Sequence, residues 1–388
     1  MEFFKPGTRY DFLGISRSMV VISALVVAIS WGLVATVGLN FGIDFAGGTE
    51  ALLAFNKPVP VGDLRSAVSD TGLDEPEVVT YGLTDEGRYF VRSRTQSLLS
   101  DGDKQKIKAS VVGALGEPAL WDDSDEAGEE LRVRFTAATA ETKGKLTESV
   151  KGAGFATATV GQQSESENPI YIIHLPGVRD RLIDAMKGKY GADFKSIDRL
   201  ESVGSAVGKQ MRNQGVLAVI YALIGILLYV SFRFDLRYSP GAVIALVHDV
   251  SITVGIFSIT GLEFNLPIIA ALLAIVGYSL NDTIVVYDRI RETVDQGLGS
   301  NLTECINISI SDCLSRTVLT SLTTFIAVLA IYLFGGGIIQ NFAFAMLVGV
   351  IVGTYSSIYI ASPMVVAMDA YLRRRSGTPT KAAGAART

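Results

Sequence analysis

The chain has 388 residues, 49% of them hydrophobic and only 19% charged, which is short of the roughly one quarter charged residues of soluble domains. The charge is uneven: residues 44–212 hold 21 of the 34 Lys+Arg and 27 of the 39 Asp+Glu, so 25 charges serve the other 219 residues. That excludes one uniform globular domain and a disordered chain, and a net charge of −5 argues against a nucleic-acid partner.

A membrane helix needs about 20 apolar residues. No charge occurs from Ser18 to Ile43, a stretch too long for a signal-peptide core and without a clear cleavage site, so it reads as a retained first span near Met19–Leu39. Five more follow near Val216–Phe232, Gly241–Gly261, Pro267–Tyr287, Thr317–Phe334 and Phe342–Val365. The fold class expected is a polytopic α-helical bundle of six transmembrane helices, with residues 213–370 carrying the second to sixth. Arg17 precedes the first span, Arg233 and Arg237 lie between the second and third, Arg289, Arg291 and Arg316 between the fourth and fifth, and Arg373–Arg375 after the sixth. The opposite hairpins, Gly261–Leu266 and Gly335–Ile338, have no Lys or Arg. The charge bias puts both termini, including the tail 371–388, in the cytoplasm, and residues 44–212 outside.

The external segment reads as strand Thr49–Phe55, helix Val61–Thr71, strand Glu77–Tyr81, strand Arg88–Arg94, helix Asp103–Leu115 and strand Pro118–Trp121. It continues as strand Leu131–Thr136, helix Ala140–Ala153, strand Phe155–Val160, strand Ile170–Leu175, helix Val178–Tyr190 and strand Phe194–Ser202. Periodicity and helix stops at Thr71-Gly72 and Gly152-Ala153-Gly154 support these boundaries. The order is βαββαβ twice, the ferredoxin-like pattern. Two consecutive units are expected, 44–125 and 126–212, joined by an acidic linker at Trp121–Glu130. No phosphate loop, nucleophile motif or metal cluster occurs, so neither an enzyme nor a cofactor is expected. His174 on its strand reads as structural. Cys305 and Cys313 form no framework; they lie in Thr303–Leu314, whose apolar spacing predicts an amphipathic helix along the cytoplasmic face with reduced thiols.

Ionisable residues inside spans are costly and mark function by default. Asp249 lies in the third span, Asp282 near the cytoplasmic exit of the fourth, and Arg316 at the start of the fifth. All three belong to the inner leaflet, and a carboxylate poised between desolvation and a nearby Arg binds and releases protons. The competing explanation is an inert Asp–Arg or Asp–hydroxyl pair that holds helices together, and for Arg316 a snorkelling helix-entry residue. Thr320, Ser321, Thr323 and Thr324 stripe the fifth span, and Gly349-x-x-x-Gly353 predicts close packing of the sixth.

Phe41-Gly-Ile-Asp-Phe-Ala-Gly-Gly-Thr49 resembles the signature that opens the periplasmic region in the SecD/SecF family. Val247-His-Asp-Val250, Gly261-Leu-Glu-Phe-Asn-Leu-Pro267, Gly277-Tyr-Ser-Leu-Asn-Asp-Thr-Ile-Val-Val-Tyr-Asp-Arg-Ile-Arg-Glu292 and Ser315-Arg-Thr317 with Thr320-Ser-Leu-Thr-Thr324 resemble the SecF branch. The resemblance covers both ends and all six spans. It implies half of an RND-superfamily bundle in the bacterial inner membrane, working with SecD, the SecYEG channel, the SecA motor and a YajC-like small subunit on a translocating unfolded protein. It implies that proton motive force helps draw that protein outward. By motif position it puts the proton relay on Asp282 and Arg316, with Asp249 fitting the pattern. Asn281, Thr320 and Ser321 become polar support, and Asp44, Gly47 and Gly48 the periplasmic signature. The family carries a single ferredoxin-like unit ending in a segment like Glu201–Lys209, so the unit is expected to be doubled here. Half of a small-molecule RND exporter and a non-transporting scaffold are the competing functions.

Overall fold

The computed structural model describes residues 8–376 except 74, 82–85, 96–100, 124–129, 137–138, 140, 164–168 and 236. Most of the linker expected at Trp121–Glu130, and the tail beyond residue 376, lie outside the described residues. The chain divides into a helical unit, Met1–Phe41 with Asn213–Thr388, and an α/β unit, Gly42–Arg212.

Helix α1, Ser16–Thr36, is the first apolar span. In the α/β unit a single turn, α2 (Ile43–Ala46), leads into β1 (Gly48–Phe55), α3 (Val61–Ser69), β2 (Glu77–Thr80) and β3 (Arg88–Ser93). Then come α4 (Asp101–Leu115), β4 (Leu120–Asp122), β5 (Glu130–Arg134), α5 (Thr142–Gly152), β6 (Thr159–Gln162), β7 (Ile170–His174), α6 (Val178–Tyr190) and β8 (Phe194–Val203). Two antiparallel four-stranded sheets result, ordered β2-β3-β1-β8 and β4-β5-β7-β6.

The elements lie close to where periodicity puts them, but the sheets are not consecutive halves. Strand β8 pairs with β1 from Gly48↔Val203 to Phe55↔Phe194, so the last helix and strand complete the first sheet. Leu64 and Val68 of α3 and Leu182 and Met186 of α6 share its core with Leu53, Tyr89 and Val91. The second sheet is contiguous between α4 and β7. Ile107 and Val111 of α4 and Leu146 and Val150 of α5 pack on Leu131, Val133 and Ile173. The division at 125/126 is therefore corrected: one ferredoxin-like sheet is interrupted after β3 by a second, whose helix–strand piece α4–β4 has moved to its front. The physical reason is edge length. The eight residues of β1 need a long neighbour, and β8 has ten residues where β4 has three.

The helical unit continues through α7 (Ser205–Arg233), α8 (Ser239–Thr260), α9 (Leu266–Asp295), α10 (Leu302–Phe334) and α11 (Gly337–Ser356). A π-helical turn, Ser357–Ala361, joins α11 to α12 (Ser362–Ser376). Six helices among the described residues, with α11 to α12 counted as one, are long and apolar enough to cross a membrane. Their ends carry local signals. Gly261 caps α8 in the left-handed conformation, φ 66°. Asn265 caps α9 through Ile268 N, and Asn301 caps α10 through Glu304 N at 2.9 Å.

Helices α9 and α10 have 30 and 33 residues, roughly 45–50 Å at 1.5 Å per residue, longer than a hydrocarbon core of about 30 Å. The amphipathic segment predicted at Thr303–Leu314 is thus the first part of α10, not a separate surface helix. Ile306 and Ile310 pack with Tyr287, Ile290 and Val365, which is why the segment stays continuous. Cys305 and Cys313 are free and buried.

Candidate polar site in the helical bundle

Asp249 lies on α8 with no exposed surface. An ionised carboxylate there has no water to turn to and must find donors in the protein. It has three. His248 Nδ1 is 2.9 Å from Oδ1, Ser279 Oγ on α9 donates to Oδ2 at 2.6 Å, and Ser356 Oγ on α11 donates to Oδ2 at 2.8 Å. One carboxylate thereby ties three helices together. Ser356 directly precedes the π-helical turn, where Tyr287 Oη donates to Ala361 O at 3.1 Å. Such turns widen the backbone and recur at functional sites.

Asp282 lies one helical turn beyond Ser279 on α9 and is 4% exposed. Its Oδ2 is buried and has no hydrogen-bond partner among the described residues. The groups of α10 that act on it are the Ser321 hydroxyl and the Arg316 charge. Ser321 Oγ is itself held: Tyr278 Oη donates to it at 3.2 Å, and it lies 2.7 Å from Thr354 Oγ1 of α11. Thr354 and Ser356 are two residues apart, so one stretch of α11 serves both carboxylates.

Arg316 is exposed, and no ion pair within 4.0 Å joins it to Asp282 or Asp249 among the described residues. Asn281 is exposed on α9, about 100° around the helix from Asp282, so it does not join the buried set. Thr320 is half-buried, and its hydroxyl donates back to Arg316 O and Thr317 O at 3.0 Å.

Sequence reasoning missed Ser279, Ser356 and Thr354, and noted His248 only as a neighbour. The available signal was a polar residue one turn before Asp282, and a Ser-Ser pair inside an apolar span.

The signature before the first sheet has a backbone explanation. Asp44 sits in the turn α2. Gly47 and Gly48 have φ of 78° and 134°, and a Cβ on Gly48 would fall 2.4 Å from Ser93 O, so only glycine fits. At the start of α7, a Cβ on Gly208 would meet Phe45 C and O at 3.1 Å. The signature therefore sets the close approach of α2 to the start of α7.

Comparison with known proteins bears on this arrangement. Residues 183–371 match the family described as protein export membrane protein SecD/SecF, C-terminal, and residues 32–59 match the SecD/SecF GG motif. The protein translocase subunit SecF of Koribacter versatilis is 34% identical over 97% of this chain and 95% of its own length. That of Calditerrivibrio nitroreducens is 35% identical over 97% and 99%. The crystal structure of SecDF, a translocon-associated membrane protein from Thermus thermophilus, aligns with a TM-score of 0.60 and 31% identity, over 95% of this chain and 40% of the SecDF chain. Near-complete, reciprocal coverage at this identity leaves no second assignment: the chain belongs to the SecF family of protein translocase subunits.

Proposed function

We propose that the chain is an auxiliary subunit of the Sec protein translocase that, with SecD, uses proton motive force to assist protein export across the bacterial inner membrane. The family assignment supports this over half of a small-molecule RND exporter, because the near-full-length relatives are named as translocase subunits. The Thermus relative, SecDF, matches over only 40% of its length, which supports SecD as the missing half. SecYEG, SecA, a YajC-like subunit and the translocating chain complete the expected partners. Both termini lie in the cytoplasm and residues 44–212 in the periplasm, on the arginine bias of the short loops.

The observation that carries the proton coupling is Asp282, buried in a span with an oxygen that no described residue satisfies. An acid in that state changes the balance of helix packing when it gains or loses a proton. Arg316 supplies the opposing charge, and Asp249 is a second carboxylate, bonded to two of the same helices, α9 and α11. A proton moving down the gradient yields about 2.3 kcal/mol per 100 mV, and no catalytic step is required. Asp282→Asn keeps the shape and removes the titration. The translocase is expected to assemble normally with this variant and to lose proton-dependent stimulation of export in membrane vesicles. Wild-type stimulation would leave Asp282 a helix-pairing residue.

A further inference from the structure

His248 is one of only two histidines in the chain, and its two ring nitrogens face different surroundings. Nδ1 is on Asp249 Oδ1 at 2.9 Å. Nε2 is buried without a hydrogen-bond partner among the described residues, in a side chain only 5% exposed. A buried ring nitrogen left unpaired carries a cost of about 1–3 kcal/mol, so it needs a partner that the described residues do not supply.

His248 also lines a cavity of about 900 Å³ between α1, α8 and α12. Its walls are mostly apolar, with Ser16, Arg17 and Thr303 at the end where α1 and α10 begin and Ser23 further in. Ser23 follows Arg17 by six residues, roughly 9 Å along the helix. A water occupies about 30 Å³ of liquid and needs two or more polar partners; the cleft has room for several, with Arg17, Thr303, Ser23 and Nε2 as polar groups along it. The imidazole is fixed for the task. Its ring stacks on Tyr355 of α11, centroids 6.0 Å apart, and Tyr355 Oη lies 2.9 Å from Ser23 Oγ and donates to Met19 O at 3.1 Å.

We infer that this cleft is a release route to the cytoplasm: Asp249 passes its proton to His248 Nδ1, and His248 gives its Nε2 proton to water in the cleft. The inference rests on the reading of Asp249 as part of the proton relay. The step balances. The proton on Asp249 Oδ1 moves to Nδ1, and water in the cleft takes the Nε2 proton and becomes hydronium. The dyad goes from a net charge of zero to minus one. Ser279 and Ser356 on Oδ2 then bond a carboxylate instead of a neutral acid, so α9 and α11 both sense the release. The charged and titratable groups facing the dyad are Arg17 from α1 and Tyr355 from α11; from α9 and α12 it meets hydroxyl and apolar groups.

The first test treats the full chain in nanodiscs with diethyl pyrocarbonate, which acylates an unprotonated imidazole nitrogen that water can reach, and reads each histidine by peptide mass spectrometry. His248 is expected to react despite its burial, and Ala24→Phe, which fills the cleft wall, is expected to slow it at least tenfold without affecting His174. Reaction at His174 with none at His248, as when a lipid chain fills the cleft, would overturn the route. The second test measures export in vesicles bearing the complete translocase. His248→Gln, which still offers Asp249 a donor, and Ala24→Phe, which leaves the dyad intact, are both expected to lose proton-dependent stimulation and its pH dependence. Wild-type stimulation in either variant overturns the route. Asp282→Asn, run alongside, separates the two readings. If it alone abolishes stimulation, the Asp282 relay stands and the route fails. If it leaves stimulation intact while the other two abolish it, the relay role of Asp282 fails and the route stands.

Discussion

A Cβ placed on Gly349 of α11 would fall 2.3 Å from Cγ1 of Ile275 on α9, so these two helices approach as closely as a glycine permits. One turn on, a Cβ on Gly353 would lie 3.0 Å from Ser279 Cβ. The small-x-x-x-small spacing thus sets the distance at which Ser279 and Ser356 reach the same carboxylate. Ile275 is fully buried and branched at Cβ, so it cannot swing away. Gly349→Ala should cost about 1–3 kcal/mol through overpacking, measured as unfolding in mixed micelles. Stability equal to wild type would mean that α9 and α11 can separate freely at this point.

The nested arrangement of the sheets makes a deletion testable. Everything from α4 to β7 belongs to the second sheet, and the first is completed across the gap by α6 and β8. Replacing residues 96–176 by a short Gly/Ser linker should leave a folded four-stranded sheet with helices α3 and α6. Cutting the unit at 125/126 instead should leave two pieces that each lack an edge strand and half their helical cover. Circular dichroism and limited proteolysis of the isolated α/β unit decide the matter. An unfolded product from the first deletion would show that the first sheet depends on the inserted one.

Local pattern located nearly every element in the α/β unit, because alternation and helix stops are properties of neighbouring residues. Val178–Tyr190, for example, is predicted and observed with the same boundaries. Partnership is not local: α4–β4 and α6–β8 are both helix-then-strand pieces, and only the length match between β1 and β8 distinguishes their sheets. The same limit holds in the bundle. Asp249 and Asp282 stand out as acids in apolar spans, whereas Ser279 and Ser356 are ordinary helix residues until folding places them on one carboxylate.

Tyr190, on the exposed-side end of α6, offers a pH test outside the spans. Burial foremost, then the charges of Asp63 and Tyr89, hold its phenol above the usual tyrosine range. The folded form therefore keeps its proton at pH values where the unfolded chain loses it. The associated stability is complete below about pH 10, the unfolded value, and is lost as pH rises through the folded one. Tyr190 Oη has no hydrogen-bond partner among the described residues, while its ring stands edge-on to Phe55 at 5.3 Å. Tyr190→Phe keeps the ring contact and removes the unpaired hydroxyl. Its stability at pH 7 should be unchanged or higher by up to about 1 kcal/mol, with less loss above pH 10. Melting curves of the α/β unit between pH 7 and 11 would show it, and an equal alkaline loss in the variant would assign that loss to other groups.

The hydroxyls on Asp249 should behave as a coupled pair. Ser279 and Ser356 both donate to Oδ2, at 2.6 and 2.8 Å, from helices that otherwise meet at Gly349 and Gly353. A hydrogen bond to a charged group contributes about 1.5–3 kcal/mol, but losing one donor leaves the other to strengthen. Ser279→Ala and Ser356→Ala should therefore each cost about 1–2 kcal/mol, at or below the lower end of that range. The double variant strands a buried carboxylate oxygen and should exceed the sum of the singles by about 1 kcal/mol, within the span of measured couplings between contacting residues. In an Asp249→Ala background the same substitutions should cost little, since the acceptor is gone. Unfolding in mixed micelles gives all the corners of this cycle. Strict additivity in the wild-type background would mean that neither serine compensates for the loss of the other on the shared carboxylate.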